Sequence, residues 1–144
     1  MNTKLTLTSD HVQAKLSGIL LQSICHEASR AAGWWTDTKT GADLAEEMRS
    51  GSRFGKALVA EKLCLTHSEI SEAMEGHRKG LVDDKLPHRS MIEVELADAV
   101  IRIADLAGAL GLNLGHAIAE KLAFNSVRPD HKLEARNAEG GKAY

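Results

Sequence analysis

Aromatic residues are scarce in this chain, whose 144 residues include only two Trp, two Phe and one Tyr. Proline occurs twice, and β-branched residues never gather into runs, which argues against sheet and for helix. Cysteine is limited to Cys25 and Cys64, both inside helical patterns, so a disulfide framework is not expected. No stretch approaches the roughly 18 apolar residues of a membrane span, and MNTKLTLTSD at the N-terminus has no secretory apolar core. The expectation is a cytoplasmic protein without membrane contact. The net charge of −2 is spread over interspersed acids and bases, and no basic stripe offers a footprint for nucleic acid.

Several catalytic signatures are missing as well. There is no HExxH, CxxC or GxSxG, which removes the commonest zinc, redox and serine-hydrolase readings. None of the seven histidines has Glu three positions before it, so a ferritin-like di-metal bundle is excluded. GSRFGK (Gly51 to Lys56) falls short of a phosphate loop. It has three residues between its glycines where four are needed, no Ser or Thr after Lys56, and no strand before it.

What is present is helical periodicity, and the expectation is an all-α bundle of four to five helices in one domain, with a core over about residues 10–128. A first helix over about 10–32, capped by Ser9 or Asp10, carries Val12, Leu16, Ile19, Leu20 and Ile24 at helical spacing and stops at Gly33. A connector holds one small helix, Ala42 to Arg49. A second long helix spans about 54–79 and ends at Gly80. After a turn over 80–90, Ser90 and Glu93 form a capping-box pattern for a third helix that runs to about Leu110. A fourth covers about 113–126, and the polar, Gly-containing tail from Pro129 to Tyr144 reads as mobile.

The middle of the chain carries two acidic pairs, Glu69/Glu72 in SEISE and Glu95/Asp98 in EVELAD. Three-residue spacing projects each pair from one side of its helix. At about 100° per residue, both pairs fall at the margin of an apolar arc expected to be the buried face of its helix: Val59, Leu63, Ile70, Ala73 and Met74 on one helix, Leu96, Ala99, Val100, Ile103, Leu106, Ala107 and Leu110 on the other. Either pair alone reads as a solvated stripe. Together they place four carboxylates where like charges repel, so protons or a cation are needed, and an all-oxygen set suits Mg²⁺ or Mn²⁺. Arg102, four residues after Asp98, can pair with it, and Asp105 lies along the same edge. Lys62, seven residues before Glu69, can reach a phosphate or neutralise the acids, and Glu75 reaches the site if its helix is rotated.

The order ExxE, 22 intervening residues, ExxD, followed by IRIADLAGALGL and then Lys121, Asn125 and Arg128 in KLAFNSVRP, resembles the MazG-like, all-α nucleoside triphosphate pyrophosphohydrolases. The likeness covers roughly residues 20–131 and rests on the combination of motifs. It implies that Mg²⁺, with Mn²⁺ as a substitute, is held by Glu69, Glu72, Glu95 and Asp98. Water activated by the metal and a carboxylate would attack the α-phosphorus of a nucleoside triphosphate, releasing pyrophosphate and a monophosphate. Lys121, Asn125 and Arg128 would hold phosphate oxygens. The segment HEASRAAGWW resembles the base-pocket segment of a phage-associated branch, which implies nucleoside contacts from His26, Trp34 and Trp35; read from the residues alone, the indoles either stack on a base or cover the core at the helix end. His131, Lys132 and Gly140 to Tyr144 resemble that branch's ending, where they fold over the phosphates. The resemblance also implies a homodimer or homotetramer, in keeping with broad apolar faces on a short chain, and nucleotide-pool cleansing. The alternative is a non-catalytic bundle that binds metal, nucleotide or another protein.

Overall fold

The computed structural model describes residues 6–141. The first five residues of MNTKLTLTSD, and Lys142, Ala143 and Tyr144 of the tail, lie outside the described residues. The fold is all-α: α1 Ser9–Ala31, α2 Leu44–Arg49, α3 Arg53–Lys79, α4 Met91–Ala109, α5 Leu114–Val127 and α6 Leu133–Asn137, with a 3₁₀ turn at Pro129–His131. Four long helices and the connector helix stand where periodicity places them. The tail differs, because Pro129 starts one helical turn and α6 adds another. Among the described residues extended pairing is confined to two isolated antiparallel bridges, Thr36 with Asp43 and Val82 with Ser90, and no helix is long and apolar enough to cross a membrane.

The chain groups into two compact units, one made of Leu21–Leu112 and the other of the chain ends, up to Leu20 and from Asn113. In the unit of the chain ends, α1 and α5 touch at two glycines: a Cβ on Gly18 would stand 2.8 Å from the Gly115 Cα, and one on Gly115 would stand 2.4 Å from the Lys15 carbonyl oxygen. Only hydrogen side chains allow that approach.

Helix ends follow local chemistry, with two departures from expectation. The cap of α1 comes from Thr8, whose Oγ1 accepts from the His11 amide at 3.4 Å, with Ser9 already helical. Ser90 precedes α4 in extended geometry but makes no capping bond, and Glu93 is drawn instead into an ion pair with Arg89. The capping box therefore does not form; a charge-assisted contact one turn back outcompetes the neutral one. At α3, Ser52 Oγ accepts from the Gly55 amide at 2.8 Å, and Gly80 closes the helix with φ of 62°. Gly55 is explained by packing and not by phosphate: a Cβ there would lie 2.2 Å from the Glu47 carbonyl oxygen.

In the Leu21–Leu112 unit, α3 and α4 form an antiparallel pair. Gly76 meets Met91, Glu69 meets Arg102, and Leu58 clusters with Leu106, so partners run in opposite order along the two helices. The core joins Trp35, Ala45, Met48, Leu58, Leu106 and Ala109. The expectation that the apolar arcs are buried holds only in part: Ala73, Ala99, Leu106 and Ala107 are buried. Leu63, Ile70 and Met74 of α3 and Leu96, Val100 and Ile103 of α4 are exposed, as are Val12, Leu16, Ile19, Leu20 and Ile24 of α1. The helices meet through smaller residues, Ala73 and Gly76 on α3 and Ala99 on α4, because alanine and glycine let backbones approach and leave the longer aliphatics on the outer arc.

Candidate metal centre and adjoining cavity

Close approach of α3 and α4 brings Glu69, Glu95 and Asp98 together: one oxygen from each lies within 4.8 Å of the others. Glu69 and Glu95 are buried, and Asp98 is exposed at the edge. Glu95 shares a hydrogen bond with Glu69, which requires a proton between two acids. Burial pushes the Glu95 carboxyl up to about 7, helped by that bond and by the charges of Glu72, Glu69 and Asp98. Glu72, one turn past Glu69, is exposed and stands outside the trio, though its charge is felt at Glu95.

Arg102 does not pair with Asp98 along its own helix. Its Nε reaches across to Glu69 Oε1 at 2.5 Å. Asp98 is turned to solvent, whereas Glu69 is buried, so the guanidinium goes where an unpaired charge costs more. Glu75 points away into ion pairs with Arg78 and Lys79.

Beside the trio opens a cavity of about 500 Å³ whose lining includes Ser29, Trp34, Trp35, Lys62, Asp98 and Asp105. Asp105 organises its wall. The Trp35 Nε1–H donates to Asp105 Oδ1 at 2.9 Å, and His26 Nδ1 lies 2.8 Å from the same oxygen. The two rings meet edge to face at 5.6 Å. Trp35 is 2% exposed and belongs to the core, whereas Trp34 is 70% exposed. Lys62 Nζ stands 5.1 Å from the Trp35 ring centroid, a cation–π contact on the cavity wall. His26 also explains Gly108, since a Cβ there would fall 2.6 Å from the His26 Cβ.

Trp34, Trp35 and Lys62 thus share the cavity lining with Asp98, whereas His26 is not in the lining and meets it only through Trp35 and Asp105. Sequence reasoning did not find the role of Asp105 as joint acceptor, nor Ser29 in the lining. The only signals were spacing: Ser29 follows His26 by three residues and Asp105 follows Asp98 by seven. Cys25 is buried and Cys64 exposed, and both are free thiols as expected.

Lys121, Asn125 and Arg128 belong to the unit of the chain ends. Lys121 Nζ and Arg128 Cζ lie 5.1 Å and 5.8 Å from the Phe124 ring centroid. Arg128 grips Asp130 through two bonds, Nε to Oδ1 at 2.9 Å and Nη2 to Oδ2 at 2.5 Å. The Asn125 Oδ1 is buried and meets no hydrogen-bond donor among the described residues. Lys132 Nζ donates to the Ser126 carbonyl at 2.9 Å, pinning the start of the tail.

No protein-family model, no curated protein and no solved structure matches this chain.

Proposed function

We propose that this chain hydrolyses nucleoside triphosphates, with Mg²⁺ or Mn²⁺, to a nucleoside monophosphate and pyrophosphate, in the service of nucleotide-pool cleansing. The observation that supports the reading is the convergence of Glu69, Glu95 and Asp98 within 4.8 Å at the edge of a cavity walled by indoles and a lysine. The donor set passes the chemical test for a hard cation, since it offers carboxylate oxygens without thiolate or imidazole.

Glu69, Glu95 and Asp98 would hold the cation, which supplies charge neutralisation to a triphosphate and makes water a better nucleophile. Glu72, exposed and outside the trio, remains to accept the proton of the attacking water. Lys62 and the exposed Trp34 would position the nucleoside end in the cavity, with Asp105 holding His26 and Trp35 as a rigid wall. Lys121, Asn125 and Arg128 are assigned to phosphate oxygens on the motif alone.

A second reading has its own observation. Arg102 neutralises Glu69, and the shared proton relieves Glu95, so the trio is tolerable without any cation. On that reading the acids knit α3 to α4 and the chain is a non-catalytic helical bundle. Pyrophosphate release from a panel of standard and modified NTPs and dNTPs, with Mg²⁺, Mn²⁺ or chelator, separates the two. Metal-dependent pyrophosphate release is expected; a folded protein that turns over none of them overturns the enzymatic reading.

A further inference from the structure

One carboxylate at the cavity has an unused edge. Asp105 meets both of its ring partners on a single oxygen, Oδ1, with the Trp35 Nε1–H at 2.9 Å and His26 Nδ1 at 2.8 Å. Its Oδ2 accepts no hydrogen bond among the described residues. The side chain is 16% exposed and belongs to the cavity lining, so the first oxygen holds the wall and the second is left for what enters.

The position of that oxygen suits the far end of a nucleotide. Asp105 follows Asp98 by seven residues, which on α4 is about 10 Å along the axis and nearly the same side of the helix. Asp98 belongs to the acidic trio, so a triphosphate held there leaves a pentose and a planar ring to extend toward Asp105. Trp34 lines the same cavity at 70% exposure, a flat face on which a base can stack. The volume of about 500 Å³ falls within the roughly 300–1,000 Å³ of small-molecule sites.

A carboxylate accepts hydrogen bonds and donates none. It takes the exocyclic amino group of cytosine or adenine and repels the carbonyl oxygen that uracil or hypoxanthine carries at the same position. The ring N–H of a keto base is no substitute. A carbonyl oxygen flanks it, and bringing that N–H to Oδ2 sets oxygen against carboxylate.

We propose that Asp105 selects the base, its free Oδ2 accepting from the exocyclic amino group of a cytosine or adenine nucleotide stacked on Trp34. The proposal rests on the nucleotide reading of this cavity but not on hydrolysis, so its test is a binding measurement.

Isosteric pairs isolate the amino group. Calorimetric titration in Mg²⁺ with the non-hydrolysable α,β-imido analogues of dCTP and dUTP, and of dATP and dITP, should favour the amino member of at least one pair. The expected ratio of dissociation constants is at least about tenfold, as for a charge-assisted hydrogen bond. In Asp105→Asn the amide oxygen must face the Trp35 N–H, a donor only, which turns the amino group to the free edge. That variant should reverse the preference, whereas a purely structural role for Asp105 would weaken both members and leave the ratio unchanged. If it does not fold, wild-type protein and the N,N-dimethylated form of the preferred base decide; loss of the N–H should weaken binding at least about tenfold. Equal binding within both pairs, binding of none of the four, an unchanged ratio in Asp105→Asn, or full tolerance of dimethylation overturns the proposal. Turnover of all four parent triphosphates at equal kcat/KM would overturn the selection and leave the reaction standing, and amino-selective binding without turnover would do the reverse.

Discussion

Arg102 Nε lies 2.5 Å from Glu69 Oε1, so a guanidinium on α4 supplies the counter-charge that a buried carboxylate on α3 would otherwise seek from a cation. Arg102 is 44% exposed on its side chain while Glu69 is 7% exposed, which makes Arg102 the partner able to swing away. Arg102→Met should therefore lower the melting temperature in chelator by leaving Glu69 unpaired. Added Mg²⁺ or Mn²⁺ should restore more of that loss than it adds to the wild-type protein. Thermal melts with and without cation check this. Loss without any rescue would mean that the acids serve only to join the helices.

The Glu95 proton gives a second handle. In the unfolded chain it leaves near the ordinary value of 4.5, and in the fold only at about 7. Between these values the folded protein holds a proton that the unfolded chain has lost. The contribution to stability is thus complete below pH 4.5 and disappears as the pH rises through 7. In chelator the melting temperature should fall between about pH 5 and pH 8, and Glu95→Gln should flatten that slope. Mg²⁺ should raise the wild-type value at the alkaline end and have little effect at the acid end, where the proton competes with it. A slope unchanged by Glu95→Gln would assign the pH dependence elsewhere.

The reasons these contacts were or were not readable beforehand are physical. Helix positions follow from 3.6-residue periodicity and from Gly33, Gly80 and Gly111, all of which adopt positive φ, and such signals are local. The pairing of Glu69 with Glu95 and Asp98 follows from two matching spacings on consecutive helices. Arg102 was misassigned because helical spacing reports neighbours on the same helix, whereas its actual partner sits on another. Ser90 and Glu93 failed to cap for a related reason, since Arg89 offered Glu93 a charged partner. The apolar arcs are buried at Ala73, Ala99, Leu106 and Ala107 but exposed at Leu63, Ile70, Met74, Leu96, Val100 and Ile103, because periodicity locates an apolar face without saying how much of it is covered.

The tryptophan pair should divide by role. Trp35 is 2% exposed, packs with Met48, Leu58 and Leu106, and donates to Asp105. Trp35→Ala should cost about 3–5 kcal/mol of stability, the range for emptying an aromatic core site. Trp34, at 70% exposure, covers little, so Trp34→Ala should change stability by no more than about 0.5 kcal/mol. If Trp34 holds a base, the same change raises KM for nucleotides severalfold at unchanged melting temperature. Denaturant titration and steady-state kinetics on the two variants read both quantities.

Asn125 offers the opposite combination, a residue whose removal should stabilise. Its Oδ1 is buried without a donor among the described residues, and an unsatisfied buried acceptor costs about 1–3 kcal/mol. Leucine has nearly the same shape and no polar atoms to satisfy. Asn125→Leu should therefore leave the melting temperature unchanged or raise it. If the side-chain amide meets a triphosphate, as the Lys121, Asn125, Arg128 motif implies, the stabler variant should bind nucleotide less well, with KM raised and the metal-dependent melting shift intact. That pairing of higher stability with weaker binding distinguishes a residue kept for a ligand from one kept for the fold. A fall in melting temperature would instead show that the amide already has a partner in solution, and unchanged KM would remove Asn125 from the substrate contacts.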